Sequence, residues 1–327
     1  MRQLTVLGIG SALVDILTQI EDDAILEQLN LPKGSMQHVD AARSLSIGKV
    51  LEEAYGNVKA AGGSAANTAS GLAKLGIEAG FLSKVGRDDI GDFFEKEMIK
   101  TNVKPLLLKT DTPSGRVQAV VSKDGERTFA TYLGASLELC PDDIKPELFE
   151  GWDIFYVEGY LVANKPMLEK AIATAKAKGM KIALDMASYN IVEENRDYMT
   201  EMIKESIDII FANEEEAKAL TGKEGAEALH DIATLCDIAI VKLGGKGSLV
   251  QQGDKVIVID PIPANVIDTT GAGDMWAAGF LAGYVKGEDL KRCATMGAIV
   301  AANIIEVIGA KMDDERWNKI YQTLGIK

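Results

Sequence analysis

Short apolar runs alternate along the chain with longer stretches whose apolar positions recur at helical spacing. That alternation is the signature of a largely parallel α/β sheet flanked by helices. Leu4–Ile9, Ala79–Ser83, Ile154–Val157, Lys181–Leu184, Ile207–Phe211 and Ile238–Leu243 read as strands. Ala24–Leu29, Ala41–Tyr55, Gly63–Leu75, Asp88–Lys100 and Lys165–Ala177 read as helices, as do Ala272–Val285, Leu290–Ile304 and Asp313–Leu324. Asp40 suits an N-cap and Gly76 a C-terminal cap. A further helix starts at Asn213-Glu-Glu-Glu216.

Two stretches break the alternation. Leu13–Ile20 with Ser35–Val39 is one; Gly115–Val121 and Arg127–Leu133, joined through Lys123-Asp-Gly-Glu126, is the other. The second is a hairpin signal around an Asp-Gly turn. Together they predict a small β-sheet, residues 13–39 and 113–135, inserted into an α/β core of residues 1–12, 40–112 and 136–327. The alternative is an extra antiparallel edge of the main sheet.

Composition narrows the partners. The 327 residues are 47% hydrophobic and carry a formal charge of −14, so no basic face is expected for nucleic acid or an anionic membrane. An anionic ligand stays open, because helix N-termini and backbone nests bind phosphate without net positive charge. Three separated cysteines and two histidines give no support to a zinc site, a disulfide framework or a Cys/His hydrolase. The opening stretch MRQLTVLGIGSALVDIL has neither the leader pattern nor the length of a span, which makes the cytoplasm the expected compartment.

The strongest candidate chemistry is Asp268-Thr-Thr-Gly-Ala-Gly-Asp274, leading into a helix of small and apolar residues. The peptide N–H groups of Gly271, Ala272 and Gly273 can converge on an anion at the helix N-terminus. Asp274 then stands beside that anion, placed to take a proton from a hydroxyl attacking a phosphoryl group. A Gly-rich turn with a helix-start acid is the plain alternative. In Ala61-Gly62-Gly63-Ser-Ala-Ala-Asn67, small residues admit a ligand close to the backbone and Asn67 offers a donor and an acceptor; tight helix packing would explain the small residues equally. Asp15 interrupts an alternating strand and could accept from vicinal hydroxyls, or lie exposed. Glu216 could order water around Mg²⁺, or serve as a first-turn acid beside the N-cap Asn213. Lys242-Leu-Gly244-Gly-Lys-Gly247 could cradle phosphates, or turn into a hairpin. The partial Gly8-Ile-Gly10 lacks the third glycine of a dinucleotide fingerprint, and no P-loop occurs.

Taken together, Gly62–Gly76, Asp268–Gly279 and the intervening Asn213-x-x-Glu216 resemble the ribokinase (PfkB) family of carbohydrate kinases, in order and spacing, from Val6 to Lys311. The resemblance implies a Rossmann-like α/β domain with a β-sheet lid, and transfer of the ATP γ-phosphate to a primary hydroxyl. It implies Asp274 as base and Gly271, Ala272 and Gly273 as anion hole. Asp15, Gly62, Gly63, Asn67 and Glu158 become substrate contacts, and Asn213 and Glu216 the Mg·ATP element. Gly244 and Gly247 match the nucleotide loop, with Lys242 where the family often has Thr and Asp185 where many members have Asn. Asp268 and Thr270 match a monovalent-cation site, implying K⁺. The stretches Val6–Ile16, Leu31–Gln37 and Tyr132–Ser136 resemble the adenosine-kinase branch, with Met36, Leu133 and Leu137 as apolar contacts to a purine and Phe129 or Tyr160 for stacking. A nucleoside acceptor, adenosine first, therefore stands ahead of a free sugar such as ribose or fructose, and a non-catalytic sugar or nucleoside sensor is the reading from another class. A monomer or homodimer is expected.

Overall fold

The computed structural model describes residues 4–326. In chain order its strands are β1 (Val6–Ile9), β2 (Leu13–Gln19), β3 (Met36–His38), β4 (Val58–Gly62), β5 (Ala79–Gly86), β6 (Val103–Thr110), β7 (Gly115–Val121), β8 (Arg127–Tyr132), β9 (Ile154–Glu158), β10 (Lys181–Asp185), β11 (Ile209–Asn213), β12 (Ile238–Lys242), β13 (Ser248–Gln252) and β14 (Lys255–Ile259). Nine of them form one sheet in the order β14-β13-β12-β11-β10-β9-β1-β5-β6. The pairings from β12 through to β6 are parallel, and β13 and β14 add an antiparallel edge.

The parallel strands are apolar on both faces because helices cover both. Val6, Tyr156, Phe211 and Ile240 face one layer, which includes the Ser64–Lys74, Ala272–Val285 and Leu290–Ile304 helices. Leu7, Phe155, Ile210 and Val241 face the other, with Lys165–Ala177 and Arg196–Ser206. Period-2 alternation sends successive side chains to the two layers. The Ala272–Val285 helix is buried nearly all round, and its glycines set the spacing of the layer. A Cβ on Gly279 would lie 2.6 Å from the carbonyl oxygen of Met296 on the neighbouring helix. The two central strands β1 and β9 are neighbours, with the chain running outward in opposite directions on either side. A crevice beyond the strand C-termini at such a switch point is where open α/β sheets bind ligands.

The second sheet has five strands, ordered β3-β8-β7-β2-β4. It is a separate sheet, not an added edge of the first. It also contains β4, which the sequence reading had left inside the 40–112 core segment. Leu13 pairs with Gly62 in an antiparallel ladder, so β4 closes the small sheet before the chain re-enters the core. The Ala41–Tyr55 helix belongs with it, as Ile47 and Leu51 cluster with Val120 and Ala130. Sequence periodicity shows that a helix has an apolar face, not which sheet that face covers. On the opposite face, register and alternation bring Asp15, Val117, Arg127, Phe129 and Met36 to one side. Among the described residues no helix is long and apolar enough to cross a membrane.

Candidate active site

Four strands in a row end on polar residues. Glu158, Asp185, Asn213 and Lys242 are the last residues of β9, β10, β11 and β12, and the register pairs Asp185 with Glu158 and Asn213 with Lys242. They form one wall of the crevice. The other wall is the Asp268–Asp274 turn.

Gly271 caps the Ala272–Val285 helix in a left-handed conformation, φ 76°. A Cβ there would lie 2.8 Å from the Ala310 methyl, so glycine is required by conformation and by space. Gly273 and Asp274 are the next helical residues after Ala272, and their N–H groups have no intrahelical acceptor. Ala272 differs from expectation: its N–H donates to the Thr269 carbonyl at 3.1 Å and is spent on the turn. Gly271, Gly273 and Asp274 are the N–H donors this turn leaves for an anion.

Asp274 Oδ1 accepts from Ser64 Oγ at 2.7 Å, and Oδ2 from Asn67 Nδ2 at 3.0 Å. Burial nevertheless pushes its carboxyl up to about 6, against the pull of those two donors. Asn67 keeps its Oδ1 buried and without a partner. The small-residue helix packs tightly on one face and turns polar groups to Asp274 on another. A Cβ on Gly71 would lie 2.7 Å from the Ala278 methyl, which is close helix packing, while Ser64 and Asn67 turn to the carboxylate.

Asp15 is half-buried in β2, and its carboxylate lies where a side chain on Gly62 would stand. Burial raises it to about 6, with Lys311 and Arg127 pulling the other way. Gly63 adopts φ +95°, with the Ser11 carbonyl oxygen in the place of its Cβ. Glu158 is 2% exposed. Its oxygens accept from the N–H of Ala65 at 3.1 Å and of Ser11 at 3.4 Å, so it caps the Ser64–Lys74 helix from β9. Burial raises Glu158 to about 7.

On the far side, Asn213 and Glu216 form a reciprocal capping box: Glu216 N–H to Asn213 Oδ1, and Asn213 N–H to Glu216 Oε2, both at 2.8 Å. Burial lifts Glu216 to about 7, aided by Asp185 and opposed by Lys242. Lys242 Nζ donates to Asp185 Oδ2 at 3.1 Å, and a Cβ on Gly273 would lie 3.1 Å from that same nitrogen. The ammonium thus stands between Asp185 and the anion-binding turn. Breaking such a buried pair from one side costs roughly 3–5 kcal/mol. Gly244 and Gly247 shape a tight turn after β12, closed by Leu243 N–H to the Gly247 carbonyl at 2.8 Å.

Asp268 and Thr270 are together, and a protein cation is already on them. Asp268 Oδ1 accepts from Thr270 N–H and Oγ, and Oδ2 from Gly309 N–H at 2.6 Å. Arg127 of β8 places Nη1 at 2.7 Å from Asp268 Oδ2 and donates to Thr270 Oγ at 2.5 Å. The residues do not fit a side-chain-ligated K⁺: no carboxylate oxygen is left over, and a guanidinium holds the counter-charge position. Ser64, Arg127 and Lys311 went unread in the sequence. A lone polar residue in a small-residue helix, a turn or a loop has no periodic signature.

The chain as a whole is similar to known proteins. A family model described as pfkB family carbohydrate kinase matches residues 35–316. The structure of adenosine kinase from Sinorhizobium meliloti superposes with a TM-score of 0.85 at 34% identity, covering 98% of this chain and 100% of that one. A probable sugar kinase from Rhizobium etli gives 0.86 at 32% identity, over 99% of both chains. A nucleoside kinase of Methanocaldococcus jannaschii is 30% identical over 269 residues, 80% of this chain and 85% of its own length. With a family model matching residues 35–316 and relatives similar across most of its length, the chain belongs to the PfkB family of carbohydrate kinases, phosphotransferases with an alcohol acceptor.

Proposed function

We propose that the protein is an ATP-dependent nucleoside kinase, with adenosine its first acceptor, that phosphorylates the primary hydroxyl of the ribose. The observation that carries this reading is the composition of one face of the small sheet. Asp15, suited to vicinal ribose hydroxyls, shares that face with Phe129 and Met36, which offer apolar surface to a purine. The unpartnered Oδ1 of Asn67 supplies an acceptor for a further hydroxyl. The likeness to an adenosine kinase at 34% identity supports the same acceptor. Tyr160 and Leu137, both exposed, are left for the rim.

In the transfer, the acceptor hydroxyl gives its proton to Asp274 while its oxygen bonds to the γ-phosphorus and the bond to ADP breaks. Gly271, Gly273 and Asp274 N–H groups and the Lys242 ammonium meet the phosphoryl charge. Asp185 and Glu216 would hold Mg²⁺ through water, since Glu216 is already engaged with Asn213. The bound Mg²⁺ neutralises triphosphate charge. The small sheet acts as a lid that excludes water from the γ-phosphate. No membrane or nucleic-acid partner is part of this reading, and the cytoplasm is its compartment.

The test is ADP release from purified protein with Mg·ATP and a panel of nucleosides and sugars. Adenosine should give the highest kcat/KM. Faster turnover of ribose or fructose would replace the nucleoside reading with a sugar kinase, and binding without turnover on every acceptor would leave a sensor.

A further inference from the structure

Lys311 carries a buried amine with no hydrogen-bond partner among the described residues. Lysine carries three donors, and leaving all of them buried and unused is costly unless a ligand takes them up. The backbone that presents it is fixed to the anion-binding turn. Gly309 N–H donates to Asp268 at 2.6 Å, and the Ala310 methyl fills the space beside Gly271. Lys311 is the next residue. The charges that face it come from three elements: Asp15 of β2, Asp274 of the Ala272–Val285 helix, and Glu97 of the Asp89–Lys100 helix. Asp15 and Asp274 bracket the position of the attacking hydroxyl. The Lys311 backbone is thus held beside the Asp268–Asp274 turn, and its buried ammonium is under the influence of Asp15 and Asp274.

We propose that Lys311 is a catalytic residue whose ammonium donates to a non-bridging oxygen of the phosphoryl group as it passes from ATP to the acceptor. This rests on the kinase reading above, though not on which acceptor is used. No proton leaves Lys311. The hydroxyl proton still goes to Asp274, and the ammonium only offsets negative charge that a second, incoming anion would otherwise add between two carboxylates. Burial dominates and lowers the lysine pKa below its usual value; Asp15, Asp274 and Glu97 oppose it, and an arriving phosphoryl anion would favour the ammonium further.

The experiment compares Lys311→Met and Lys311→Arg with the wild type, using Mg·ATP and the best acceptor of the panel. The Met variant should lose about 100-fold or more in kcat, with acceptor KM nearly unchanged, as for removal of one oxyanion donor. Its melting temperature should equal or exceed that of the wild type, because an unpaired buried charge has been removed. The Arg variant should recover part of the rate. Unchanged kcat, a loss in acceptor KM alone, or a lowered melting temperature in Lys311→Met would each overturn the role. A wild type that prefers a sugar would sink the nucleoside reading and leave this comparison to be made on that sugar. A wild type inactive on every acceptor would sink both.

Discussion

Two hydrogen bonds draw the Asp274 carboxyl toward its charged form, and burial pushes it harder the other way, so it titrates near 6. A general base must be ionised, so kcat/KM should rise with pH through about 6 and reach a plateau above 7. Asp274→Asn should lower kcat by about 100-fold to 10,000-fold and leave ATP binding and the fold intact. Near-wild-type turnover, or a flat acid limb, would remove Asp274 from the role of base. The heptad that contains it was legible because glycine and aspartate at fixed spacing have few other uses. Ser64, which shares the carboxylate with Asn67, was not legible, since a serine among alanines is what any small-residue helix contains. Glu158 was read as a substrate contact from resemblance. The hydrogen bonds show both its oxygens on backbone N–H groups. Each oxygen has a second acceptor site, so capping the helix leaves Glu158 able to accept from a substrate hydroxyl as well.

At the scale of elements, the parallel strands and most of their helices follow from periodicity, while the failures share a cause. β6 is interrupted by Pro105, and β14, though continuously apolar over Val256–Ile259, lies at the sheet edge with Val256 and Val258 exposed. The sequence shows four of the small sheet's strands but not β4, because pairing partners such as Leu13 and Gly62 lie far apart along the chain. Arg127 is the clearest case. It follows an unremarkable Asp-Gly turn and reaches a residue 143 positions away. Its placement changes an expectation about ions. With a guanidinium on Asp268 and Thr270, turnover should be equal in K⁺ and Na⁺ at matched ionic strength, so that general screening is constant. A clear rise on adding K⁺ would return the position to a metal cation, held by backbone carbonyls.

The molecule as a whole concentrates acids in one crevice, and its stability should carry that mark. Asp15 and Asp274 titrate near 6, and Glu158 and Glu216 near 7. In an unfolded chain such groups titrate at roughly 4. Between those values the folded protein holds protons that the unfolded chain has released. Stability therefore falls as pH rises across about 4.5 to 7, then levels. The carboxylates held low by partners, Asp88 and Asp268 among them, act in the opposite sense and at lower pH. The ligand-free protein should melt at a lower temperature at pH 8 than at pH 5, and Glu158→Gln should flatten that slope. A melting temperature that rises over this range would contradict the burial of these four groups as charged acids. The span from Arg127 to Asp268 has a last consequence, which is thermodynamic. On the proposed reading, the face for the acceptor and the turn for the triphosphate share one ion pair, a direct route by which occupancy of one can bias the other. Whatever factor an acceptor imposes on the dissociation constant of ATP, ATP must impose on that of the acceptor. Two calorimetric titrations run in opposite orders should read the same coupling free energy, and the share of it lost in Arg127→Ala is the share the ion pair carries.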